Sequence, residues 1–165
     1  MTAPAIGASP AALIEASLVP GGRSSTSDAS MSAAGEAPIA GAVIVTTPNA
    51  VSVEDATKAV TMFEKLSVPV FGLIENMSYF ICPHCGERTE IFGHGGGVAM
   101  ADELGIDFLG EIPLQVDVRA ASDRGVPIVE SDPDSPVAQA FSAIAQRVAA
   151  KTSVQHFFAE SAASA

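Results

Sequence analysis

Beyond about residue 38 the hydrophobic positions fall into two alternating rhythms. Ala42-Val43-Ile44-Val45-Thr46-Thr47 is a continuous apolar, β-branched run ending at Pro48, the pattern of a strand buried on both faces. Ser52 with Asp55 three residues later has the form of a helix-start capping box. Val53, Ala56, Val60 and Phe63 then recur at helical spacing, with Glu54 and Lys58 paired on the outer face. A second buried strand is expected over Pro69-Val70-Phe71-Gly72-Leu73-Ile74, and a third over Asp107-Phe108-Leu109-Gly110-Glu111-Ile112, with a helix from about Gly97 to Leu104 before it. The last helix is capped by Ser135, takes Pro136 in its first turn and buries Val137, Ala140, Phe141, Ile144 and Val148. From Thr152 onward the pattern reads as a frayed tail.

Strands alternating with helices imply βαβ units and a parallel sheet, an α/β fold. Ligands of such sheets bind beyond the carboxyl ends of the strands. Asn76, just past the second expected strand, and Pro113, just past the third, fall at that edge. Residues 1–36 differ. A short helix around Ala11 to Leu18 is conceivable, and the Gly/Ser-rich stretch from Pro20 to Ser30 reads as linker or disorder. Gly21-Gly22-Arg23-Ser24-Ser25-Thr26 lacks the lysine and the preceding hydrophobic strand of a phosphate-binding loop. The expected division is therefore a linker over 1–36, a domain over 37–151 and a flexible tail over 152–165.

Composition narrows the partners. With 48% hydrophobic and 16% charged residues, 165 residues suffice for one domain with a real core. The formal net charge of −11 would repel phosphate backbones and anionic membranes, so nucleic acid and membrane are not expected partners. The first twenty residues carry no Lys or Arg, so a secretory n-region is missing and the expected location is cytoplasmic.

The only two cysteines form Cys82-Pro83-His84-Cys85, followed by Gly86. Pro sets φ in the turn and Gly lets the backbone fold back so that amides face the sulfurs. Amide hydrogen bonds and nearby positive charge, for which Arg88 is close in sequence, favour the thiolate that binds metal. Tetrahedral zinc or an iron–sulfur cluster wants four protein ligands, and cysteine supplies two. Three completions stay open at this point: histidine ligands, a second chain, or a redox dithiol. Within one chain His84 lies between the cysteines and has difficulty reaching the same ion. His94, in Gly93-His94-Gly95-Gly96-Gly97, is the better candidate, although glycines before a helix commonly serve as a flexible entry; His156 lies in the tail. A symmetric dimer would supply four cysteines across its two-fold axis. A thioredoxin-type dithiol would stand at a helix N-terminus, whereas Gly86 to Phe92 alternates as a short strand does. No nucleophile elbow occurs, and Asp132 and Asp134 read as charges favouring the start of the last helix.

Taken in order, Gly41-Ala42-Val43-Ile44-Val45-Thr46-Thr47-Pro48, Gly72-Leu73-Ile74-Glu75-Asn76-Met77-Ser78, the cysteine knuckle with Ile91-Phe92-Gly93-His94-Gly95-Gly96-Gly97, Gly110-Glu111-Ile112-Pro113-Leu114, and Ser131-Asp132-Pro133-Asp134-Ser135-Pro136 resemble the C-terminal part of the Mrp/ApbC-type iron–sulfur cluster carrier ATPases. The resemblance covers residues 38 to 150. It implies the C-terminal portion of a P-loop NTPase (SIMIBI-type) fold and a homodimer. In that arrangement Cys82 and Cys85 of two subunits hold a bridging 4Fe-4S cluster destined for recipient apoproteins. It also implies that Asn76 contacts the adenine of ATP and that backbone near Pro113 lines the base pocket. The chain departs from the family in carrying Ala50 where an acidic residue is usual, and residues 1–36 contain neither the Walker A lysine loop nor the acidic magnesium segment. Since those parts supply most of the catalysis in phosphoryl transfer, the expectation is a fragment without ATP hydrolysis of its own. Apolar strand edges would then be left uncovered, with ATP and Mg bound only alongside an N-terminal half. The alternatives are a structural zinc-binding module and a thiol–disulfide oxidoreductase.

Overall fold

The computed structural model describes residues 40–163. The expected linker over 1–36 and the short helix at 11–18 lie outside the described residues. Within them run β1 (Ala42–Thr46), α1 (Ala50–Lys65), β2 (Val70–Ile81), β3 (Arg88–Thr89), α2 (Gly96–Leu104), β4 (Phe108–Leu114), α3 (Val116–Asp123), α4 (Ile128–Ser131) and α5 (Pro136–Ala163).

β2 is the central strand. It pairs in parallel with β1 on one side, Ala42 opposite Val70 and Thr46 opposite Glu75, and with β4 on the other, Leu73 opposite Phe108 and Asn76 opposite Ile112. A register shift at the start of β2, where Ala42 lies opposite Val70 and Val43 opposite Gly72, breaks strict alternation, so Phe71 and Leu73 turn to opposite layers. Leu73 joins Ala42, Ile44, Ala56, Val60, Phe63, Met100 and Ala101 in a core roofed by α1 and α2. Phe71 and Ile74 join Val43, Leu109, Ile112, Val137 and Ile144 beneath α5. The parallel α/β layering expected from the alternating pattern is what forms.

Several boundaries move for physical reasons. The N-cap of α1 is Asn49 and not Ser52: its Oδ1 accepts the Ser52 backbone N–H at 3.0 Å, while the Ser52 hydroxyl is buried as a partner of Thr47 and Asn49. Asparagine caps as well as serine does, and the helix begins directly after it at Ala50. The Glu54–Lys58 pair forms at 3.0 Å. β2 does not stop at Ile74 but runs on to Ile81, through a bulge in which Met77 takes φ 57° and the buried Ser78 hydroxyl donates to the Glu75 carbonyl at 2.9 Å. Asn76 therefore lies inside a strand, not past its end, and Pro113 likewise lies within β4. The paired neighbour strand extends each of them, a tertiary effect that local propensity does not report. The Ser135 cap is present, its Oγ accepting the Ala138 N–H at 3.3 Å, and Val137 and Ile144 are buried. α5 then continues through Ala163, so the segment expected as a tail from Thr152 is helical; Thr152 and Ser153 donate their hydroxyls to the carbonyls four residues back and add no helix stop.

Candidate metal centre

The long β2 carries the chain out of the sheet body. Past Glu75 it leaves β1 behind, and from Phe80 it pairs with Leu114 on one side and with Thr89 of the antiparallel β3 on the other. The tip between β2 and β3 is the cysteine turn. Its closure is local: the Gly86 N–H reaches the Cys82 carbonyl at 2.8 Å, and the Cys82 N–H reaches the Glu87 carbonyl at 2.9 Å. Gly86 holds φ 74°, the left-handed region the turn requires.

Cys82 is half-buried and Cys85 is exposed; both are free thiols. The backbone N–H groups of His84 and then Cys85 face the Cys82 sulfur, with the Cys85 thiol beside it, and together they hold the Cys82 thiol below the ordinary range against a small opposing effect of burial. Donors aimed at one sulfur stabilise the thiolate that metals and iron–sulfur clusters bind. Arg88 takes no part in this. Its guanidinium lies over the Tyr79 ring, 3.9 Å from the centroid, and faces Glu90 and Glu111 at 3.8 Å each. It braces the stem of the hairpin, and the charge assistance expected of it is replaced by amides.

The histidine completion is not assembled. His94 Nδ1 stands 3.2 Å from Glu90 Oε1, and His84 is exposed at the tip. Among the described residues no group of three or more His, Cys, Asp or Glu side chains is placed to hold a metal ion. One chain thus presents two sulfurs at the end of an extended arm. The glycine run is also not a loose entry. A Cβ on Gly96 would sit 2.3 Å from the Pro48 carbonyl oxygen, and one on Gly97 2.9 Å from Glu75 Oε2, so these glycines permit close packing of the returning strand against the β1–α1 corner.

Glu75 is the residue that sequence reasoning passed over. It is fully buried, its Oε2 accepts the Gly97 N–H at 2.6 Å, and its Oε1 has no hydrogen-bond partner. The available signal was an acid placed directly after the apolar run Val70 to Ile74. Asn76 is next to it, half-buried, its Oδ1 accepting the Met77 N–H at 2.9 Å. Pro113 is buried on the adjacent strand.

Residues 19–149 match the model of the family described as ParA: NUBPL iron-transfer P-loop NTPase. The chain belongs to this family. Among curated relatives it is 46% identical over 123 residues to the iron-sulfur cluster transfer protein NUBPL of Dictyostelium discoideum, covering 74% of this chain and 38% of that protein. It is 51% identical over 110 residues to the iron-sulfur cluster carrier protein of Pyrococcus abyssi, covering 67% and 37%. The chain therefore spans less than two fifths of the length of these relatives. The fold of this P-loop NTPase family member is also that of the septum site-determining protein MinD from Pyrococcus horikoshii, solved with Mg-ADP: TM-score 0.55 and 24% identity over 69% of this chain and 43% of that one.

Proposed function

We propose that this chain is an iron–sulfur cluster carrier in which Cys82 and Cys85 of one protomer and their counterparts in a second jointly hold a 4Fe-4S cluster. The cluster is cargo, delivered to recipient apoproteins in a reducing, cytoplasm-like compartment. The observation that carries the reading is the placement of the thiols: two sulfurs, one of them already favoured as thiolate, on an exposed arm tip with no third ligand beside them among the described residues. Four ligands then come most simply from two copies. A cluster held at an exposed tip by only two bonds per subunit is open to attack by an acceptor's own thiolates, which is what transfer requires. Asn76 and Pro113 stand on adjacent parallel strands toward the carboxyl end of the sheet, where this architecture receives ligands. They are proposed as contacts for the base of ATP, with the phosphate cradle and magnesium ligands contributed by other segments.

Anaerobic incubation with iron and sulfide tests the reading. The expected product is a brown dimer with about two irons and two labile sulfides per chain, able to activate an iron–sulfur apoenzyme. A colourless monomer sinks the proposal. Recovery of zinc without labile sulfide would favour a zinc module instead, and reduction of insulin disulfides by the metal-free chain would favour a dithiol oxidoreductase.

A further inference from the structure

The arm that bears the cysteines leaves the sheet and rejoins it at nearly one point. Its outgoing leg departs at Asn76, and its returning leg docks at Gly97, the second residue of α2. Glu75 sits at that crossing, in contact with both: it precedes Asn76 in β2, and its carboxylate accepts the Gly97 N–H across 22 residues of chain. The outgoing leg is held by pairing to β4 as far as Phe80. The returning leg is held by two residues of β3, by Arg88 laid on Tyr79 and facing Glu111, by the Glu90 contacts with His94 and the Gly93 N–H, by the Gly96–Pro48 approach and, at its base, by this one carboxylate.

A fully buried carboxylate with one bare oxygen is a poor choice for stability. Leaving a buried acceptor unpaired carries a desolvation penalty, whereas an apolar side chain of similar size fills such a place with little cost. Glu75 also interrupts an otherwise apolar strand interior, with Leu73 and Ile74 before it. What the carboxyl group supplies and leucine would not is an acceptor for an N–H of the first turn of α2, one of the donors a helix start leaves without an intrahelical partner.

We infer that Glu75 is a positioning residue, the clasp that fixes the base of the cysteine arm by tying its returning leg to the strand from which the arm departs. The clasp sets the direction in which both sulfurs are presented. Its bare oxygen, one residue from Asn76, makes it responsive to a hydrogen-bond donor brought to the carboxyl edge of the sheet. The clasp is a property of the metal-free chain; its consequence for the cargo rests on the carrier reading above.

Hydrogen exchange of the metal-free 165-residue chain tests this without any cluster. In Glu75→Leu, amides of residues 93–99 should exchange about tenfold faster or more, as expected when a buried hydrogen bond is removed from a local opening unit, while β1 and α1 stay at wild-type rates. Glu75→Gln, which keeps an acceptor for the Gly97 N–H, should recover most of that protection. Gly97→Ala, whose Cβ would displace the carboxylate from the other side, should reproduce the Leu pattern and guards against misfolding of the buried variant. Unchanged exchange at 93–99 in both Glu75→Leu and Gly97→Ala overturns the clasp. So does an equal rise through β1 and α1, or a Gln variant no better than Leu. Failure of cluster reconstitution with the clasp pattern intact would count against the carrier reading alone.

Discussion

The sheet body and the cysteine arm are built by different rules. In the body, Ile44, Leu73, Leu109 and Val137 are no more than 1% exposed, and two apolar layers enclose a parallel sheet. On the arm, every residue from Pro83 to His94 is exposed, and order comes from a tight turn, a two-residue ladder, an arginine laid on a tyrosine and one buried carboxylate at the base. The body is specified by burial, which is redundant and spread over many residues. The arm is specified by a few directional contacts, each with no substitute. Chemistry is placed where burial contributes least, so that the thiols remain accessible.

That contrast is open to attack at several points. The largest expected effect is on the arm's chemistry: Cys82→Ser should abolish cluster reconstitution, read from visible absorbance. Its thermal unfolding should stay near wild type, since surface changes away from packed features usually stay within about 0.5 kcal/mol. Loss of stability alongside loss of cluster would mean that the knuckle is part of the body. Conversely, Leu73→Ala, at a fully buried site facing α1 and α2, should cost about 2–5 kcal/mol in denaturant unfolding, while the folded fraction keeps its thiol reactivity. Gly96→Ala tests the seam between the regions. Forcing a methyl against the Pro48 carbonyl should cost about 1–3 kcal/mol as an overpacked contact, detectable as a lowered denaturant midpoint; a neutral result would show that the returning leg is not docked there. The smallest effect is a shift in a pH profile. Because the amides of His84 and Cys85 lower the Cys82 pKa, its alkylation by iodoacetamide should rise at lower pH than that of an unperturbed thiol and level off once the thiolate is fully formed. A midpoint at or above the ordinary thiol range would remove the amide account.

Much of this was legible from residues alone, in places where the signal is local or periodic. The strand at Ala42 to Thr46, the helical stripe Ala56, Val60 and Phe63, and the Ser135 cap each depend on neighbours within a turn or on simple alternation, and each formed. The knuckle was readable for the same reason, since Pro83, Gly86 and the cysteine spacing act within five residues. Where the reading missed, the cause was a distant partner. Local pattern ends β2 at Ile74, because its continuation past Glu75 is secured by β3 and β4, 9 and 34 residues away from Phe80; Asn76 and Pro113 therefore lie inside strands. The glycine run resembled a flexible entry because the Pro48 carbonyl and the Glu75 carboxylate it packs against are far off in sequence. Arg88 is close to the thiols along the chain, while in space it lies over Tyr79.

By itself, then, the sequence determined the class of fold, the positions of its buried faces and the chemistry of the arm tip, because periodic burial and turn formation are properties of short segments. Only the tertiary structure decided how far the central strand extends, that His84 and His94 are not gathered with the two sulfurs, and that a buried glutamate accepts the Gly97 N–H where the arm rejoins the sheet. Those depend on which groups meet across long loops, and a hydrogen bond such as that from Gly97 to Glu75 exists only once the intervening chain has folded back.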